Sequence, residues 1–190
     1  MSTIAPAPVS AAQTEIWLAD RCEPESGRYN VPVALCFGGT LDLPVLRRAL
    51  ADLLVRHPAL AGRFDAEEGE LRFVPEPAAV VPLGSFACPG PMHSDAARRA
   101  AVEAAQRPLD PAAAPLVRAD LLHPDDRAVV VLTVHHIVAD GRTLEILADD
   151  VLDAYRARHA GQEPRAVRPG EAARGAAPPA APPRGGGVWV

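Results

Sequence analysis

The chain has 190 residues and 48% hydrophobic content, enough for one ordinary domain with a sizeable core. Its formal charge of −5, its pI near 5.7 and the lack of a basic patch exclude a dedicated nucleic-acid binder. Cys22, Cys36 and Cys88 are widely spaced and form no CxxC pair, which points to a reducing compartment and excludes a cysteine metal cluster. All 19 basic residues are arginine, which fits a GC-rich genome better than any physical demand. The N-terminus shows neither a basic start nor an apolar stretch of signal-peptide type, and no run approaches the roughly 20 apolar residues of a membrane span. The expectation is a cytoplasmic protein.

The pattern divides the chain into a flexible arm (1–8), a folded lobe (9–161) and a disordered tail (162–190). Ser10 caps a helix over Ala11 to about Arg21, with Ile16, Trp17 and Leu18 as apolar contacts. Tyr29 to Phe37 reads as a strand, placed near a sheet edge by Pro32. Asp42 is a good N-cap for an amphipathic helix to about Arg56, because Leu43, Leu46, Leu50, Leu53 and Leu54 recur at helical spacing. Leu60 to Phe64 and Glu70 to Val74 read as short strands around the turn Glu67-Glu68-Gly69, and Val80 to Leu83 as another. Ser94 starts an alanine-rich helix to about Gln106, whose weak apolar face predicts an exposed position. Leu116 to Leu122 and Ala128 to Val134 are strands joined by the hairpin turn His123 to Arg127. A last amphipathic helix carries Leu144, Leu147, Val151, Leu152 and Tyr155. From Gln162 onward, prolines, alanines, glycines and arginines replace any periodic pattern, and such a segment buries too little surface to offset ordering.

The most informative stretch is AVVVLTVHHIVADGRT, residues 128–143. Its apolar, mostly β-branched run is what a strand buried on both faces looks like. Two imidazoles and a carboxylate at the end of such a strand cost free energy unless paired, so core packing alone would not select them. Strand alternation sends His135 and His136 to opposite faces, and only one can face a given cavity. That divergence argues against a metal site built from His135, His136 and Asp140. Gly141 is read as a residue that lets the chain turn tightly. Gln13 and Trp17 read as packing residues. His57, His93, His123 and His159 read as surface or cap residues, and Cys36 as a core residue.

Three separate blocks, in order, resemble the condensation domains of nonribosomal peptide synthetases. Ser10-Ala11-Ala12-Gln13 with Ile16-Trp17-Leu18 resembles that family's SxAQxxxW motif. Arg56-His57-Pro58-Ala59-Leu60 with Phe64 resembles its RHxxLRxxF motif, although Ala61 stands where the family usually has arginine. Glu15 likewise replaces a residue that is basic in many members. His135-His136-Ile137-Val138-Ala139-Asp140-Gly141 matches HHxxxDG at every fixed position. The resemblance covers about Val9 to Gly161, the first of the family's two chloramphenicol-acetyltransferase-like lobes, and implies an α/β lobe in which helices flank a mixed sheet.

The implied reaction joins an acyl or peptidyl thioester on one carrier protein to the amine of an aminoacyl thioester on another. An imidazole, with a pKa near 6.5, suits the proton transfer that this demands. The resemblance assigns that work to His136, leaves His135 supporting the loop, pairs Asp140 with Arg56 in a salt bridge, and brings the Gly141 backbone near substrate. A surface ion pair is the plainer reading of Arg56 and Asp140. No cofactor is expected on the chain itself, since phosphopantetheine arms belong to the carriers. The expected partners are carrier proteins and either a second-lobe polypeptide or a second copy of the chain. The alternatives are a non-catalytic lobe that binds a carrier, half of a split or homodimeric enzyme, and an HxxxD acyltransferase using a coenzyme A thioester.

Overall fold

The structure, a computed structural model, describes residues 7–38, 40–88, 90–123 and 127–164. Each long helix begins where a capping side chain precedes a periodic run. Ser10 forms a reciprocal capping box with Gln13 ahead of α1 (Ala11–Cys22). Asp42 accepts from the Val45 N–H at 3.0 Å ahead of α2 (Leu43–Arg56), with Pro44 in the first turn. Ser94 caps α3 (Asp95–Gln106), and Asp140 caps α4 (Gly141–His159).

The strands are β1 (Ala7–Pro8), β2 (Asn30–Phe37), β3 (Gly62–Glu67), β4 (Glu70–Pro75), β5 (Leu83–Ala87), β6 (Val117–His123) and β7 (Ala128–His135). They form a four-stranded sheet, order β2-β7-β6-β5, and a three-stranded sheet, order β1-β4-β3. Only β5 on β6 is parallel among the described pairings. Strand β7 lies inside the larger sheet and is buried at all eight positions, so its unbroken apolar run reflects helices on both faces. Val130, Leu132 and Val134 pack with Val117, Ala119 and Leu121 beneath α2 and α4. Val129 and Val131 alternate to the other face and meet Ala97 and Ala100 of α3.

Several expectations shift. Leu60 lies in a 3-10 turn (Pro58–Ala61), so β3 starts only at Gly62. The strand expected at Val80 to Leu83 instead runs from Leu83 to Ala87, because pairing with β6 positions it rather than its own apolar pattern. Helix α3 is not a purely exposed helix: Ala97, Ala100 and Ala104 are buried, the small side chains letting it lie close on the sheet. Pro32 does sit on the edge strand, β2. Cys36 is exposed rather than core, since Leu35 and Phe37 take the inward face of that strand. Ala7–Pro8, placed in the arm by sequence, pairs with Phe73 and Arg72. The rest of the arm (1–6), the centre of the hairpin turn (124–126) and the tail from 165 lie outside the described residues.

Candidate active site

The end of β7 divides two adjacent histidines by alternation. His135 points into the lobe and is fully buried, whereas the His136 side chain is exposed. The chain then turns: the Val138 N–H donates to the His135 carbonyl at 3.1 Å. The Ile137 N–H donates to His135 Nδ1 at 3.1 Å, so the proton of the neutral ring sits on Nε2. His136 Nδ1 lies 2.5 Å from the Ala139 carbonyl oxygen. A carbonyl only accepts, so His136 carries a proton on Nδ1, and in the neutral form of the ring the lone pair is on Nε2. The His136 backbone N–H donates to the Tyr29 carbonyl at 2.7 Å, anchoring the loop to the start of β2.

The partner of Asp140 differs from the expected one. Its carboxylate accepts from the Thr143 N–H at 2.8 Å and the Thr143 hydroxyl at 2.7 Å, and these bonds hold its pKa below the usual carboxylate range. Arg56 instead bonds Asp150 at 2.7 Å, and His57 Nε2 meets the other Asp150 oxygen at 2.7 Å. Helix register is the reason. Helix α2 runs antiparallel to α4, with Asp52 against Arg158 and Arg56 against Asp150. Ten residues at 1.5 Å each place Asp150 about 15 Å along α4 from Asp140. His57 is therefore part of an ion-pair cluster and not a simple surface residue. Gly141 also departs from expectation: it opens α4 outside the left-handed region, and a Cβ there would meet nothing within 4 Å.

The three sequence blocks nevertheless meet. Phe64 and Ile137 share one buried cluster with Leu116, and Ile16, Trp17 and Val138 pack against it. Gln13 does more than pack, since its Nε2 donates to the Ile137 carbonyl at 3.2 Å. Asp20, unremarked in the sequence, is 5% exposed and places Oδ1 3.5 Å from His135 Nε2. Burial pushes the Asp20 carboxyl up and the His135 imidazole down, so both are driven toward their neutral forms. Asp150, Asp20 and Gln13 are the residues that sequence reasoning missed. The signal for the last two was the 13, 17, 20 spacing, which places them with Trp17 on one helical stripe.

An apolar groove of about 420 Å³ lies between α2 and the segment after β4, lined by Leu50, Leu54, Val55, Pro77, Val80 and their neighbours. It includes none of the HHxxxDG residues, so cavity size does not locate the chemistry here. Among the described residues, no helix is long and apolar enough to cross a membrane.

A family model described as "Condensation domain" matches residues 4–169. One polypeptide of the linear gramicidin synthase of Brevibacillus parabrevis is 34% identical over 162 residues, covering 83% of this chain and 3% of that protein. Phosphinothricin tripeptide synthetase PhsC of Streptomyces viridochromogenes is 35% identical over 162 residues, covering 83% of this chain and 15% of that protein. Among solved structures, the first condensation domain of the CDA synthetase superposes with a TM-score of 0.74 at 26% identity, covering 90% of this chain and 44% of that one. The starter condensation domain of rhizomide synthetase RzmA shares the fold, with a TM-score of 0.74 at 24% identity over 86% of this chain and 40% of that one. The chain thus spans less than half the length of these solved domains and a small fraction of the curated relatives. The family model spans most of the chain and the fold is shared with solved condensation domains, so the chain belongs to the condensation-domain family of nonribosomal peptide synthetases.

Proposed function

We propose that residues 9–161 form the N-terminal half of an amide-forming acyltransferase and that His136 is its proton-transfer group. One observation carries this reading: the Nδ1–H···O=C bond to Ala139 fixes the ring and leaves Nε2 with no partner among the described residues. The acceptor amine attacks the thioester carbonyl carbon of the donor; a C–N bond forms, and the C–S bond breaks. Nε2 takes the amine proton and returns it to the departing thiolate of the donor's phosphopantetheine arm. Holding both carrier-bound substrates against His136 supplies much of the remaining acceleration. The open space at Gly141 leaves room for substrate beside the loop.

His136 is exposed on this lobe, so excluding water from the reacting centre requires a wall contributed from outside the described residues. A second condensation-domain lobe or a second copy of the chain would provide it. The test mixes this chain with a separately produced second lobe and with carriers bearing an acyl and an aminoacyl thioester. Intact-mass analysis of the acceptor carrier then reads the amide product. Product formation that falls at least about a hundredfold in His136→Ala, with an unchanged melting temperature, is the expected result. A variant that keeps its turnover would sink the assignment. Carrier binding without turnover in any combination would favour the non-catalytic reading.

A further inference from the structure

Helix α1 touches the HHxxxDG loop at two polar points on one stripe. Gln13 Nε2 donates to the Ile137 carbonyl, and two turns later Asp20 Oδ1 lies 3.5 Å from His135 Nε2. Trp17, between them, packs against the cluster that holds Ile137. His135 Nδ1 is already engaged as the acceptor for the Ile137 N–H. His135 Nε2 is buried and makes no hydrogen bond among the described residues, and leaving it without any polar neighbour would be costly. Asp20 is the one carboxylate among those residues within ion-pairing distance. The remaining charged or titratable groups bearing on the pair are Asp110, Arg21 and His136, with the Tyr29 ring tilted over His135 at 6.2 Å.

We infer that Asp20 is a positioning residue: its carboxyl selects the Nε2–H tautomer of His135, which frees Nδ1 to hold the Ile137 N–H and so sets the turn that presents His136. The opposite tautomer would point an N–H at the Ile137 N–H and open the turn. The consequence reaches the working ring because His136 Nδ1 is bonded within the same five-residue turn, to Ala139. The inference rests on the reading of His136 as the functional imidazole, but its test does not require activity.

The experiment is long-range proton–nitrogen NMR of the imidazoles in the full chain, whose 6 histidines can be assigned one by one by substitution. The wild-type His135 should show a protonated, pyrrole-type Nε2 and a pyridine-type Nδ1. In Asp20→Leu the His135 pattern should average between tautomers, and His136 should lose its fixed Nδ1–H signal. Asp20→Asn, whose amide oxygen still accepts from Nε2–H, should restore both. A wild-type His135 protonated on Nδ1 overturns the inference, as does a folded Asp20→Leu chain with unchanged nitrogens. The wild-type spectrum decides the tautomer even where Asp20→Leu does not fold. A correct tautomer in a chain that forms no amide with any second lobe would defeat the proposed function and leave Asp20 in its role.

Discussion

Asp140 is the residue whose environment most directly explains a fixed position of the motif. Its carboxylate closes the first turn of α4 by accepting from two Thr143 donors, and its charge sits at the positive end of the helix. The cap holds the start of α4 directly behind the turn that carries His136. Asp140→Ala removes the cap and should cost about 1 kcal/mol, which lowers the melting temperature by roughly 2–4 °C for a domain of this size. Asp140→Asn keeps an accepting oxygen and should lose only part of that. A melting temperature unchanged in the alanine variant would show that the two Thr143 bonds contribute nothing to folding. The division of labour between His135 and His136 was legible in sequence, because strand alternation alone separates them. The partner of Asp140 was not: a carboxylate at a helix start and one in an inter-helix ion pair look alike until register is known.

Helices α2 and α4 are locked by more than their apolar faces. Arg56 and His57 at the end of α2 converge on Asp150, and Arg158 near the end of α4 bonds both oxygens of Asp52 at 2.9 and 2.8 Å. Asp150 is largely shielded from solvent, so removing it takes away the carboxylate that Arg56 and His57 share in a poorly hydrated spot. Asp150→Ala should therefore lower the unfolding free energy by about 2 kcal/mol, read as a fall in the urea midpoint. Asp153→Ala, which removes an exposed pair with Arg156, should change it by less than about 0.5 kcal/mol. Equal effects from the two would mean that the inter-helix cluster adds no more than a surface pair. At this scale, strong periodicity decided what could be read in advance. The leucine stripe of α2 and the unbroken run of β7 fixed those elements closely. Strand β5, with the sequence Leu83-Gly84-Ser85-Phe86-Ala87, carries no such pattern and owes its place to β6. The burial of α3 was hidden for the same reason, since alanine reads as weakly apolar yet fits a close helix–sheet contact.

Across the whole lobe, the buried pair beneath the active loop links folding to pH. Burial holds the His135 imidazole below its ordinary value of 6.5. The unfolded chain therefore takes up a proton at that residue before the folded chain does, and folding is disfavoured as the pH falls. The His135 contribution is fully present above 6.5 and is lost as the pH drops through the depressed folded value. Asp140 acts in the same direction at lower pH, its contribution lost as the pH falls below 3.8. Asp20, raised by burial, has the opposite sign: its contribution is fully present below 3.8 and is lost as the pH rises through its folded value. His135 and Asp140 thus contribute two declining stages on the acid side, the upper one from His135 and opposed by Asp20. In urea unfolding at intervals between pH 8 and pH 4, the His135 share is the stability difference between the chain and His135→Gln, which should shrink as the pH falls below 6.5. His135→Gln, which removes the imidazole and keeps a polar side chain, should start less stable but lose less stability than the parent chain between 6.5 and 5. An identical slope in that interval for both chains would mean that another group governs the acid response. Because both buried groups lie within this lobe, the upper stage requires neither a carrier nor a second lobe. It reports on the scaffold of the loop separately from the reaction the loop is proposed to perform.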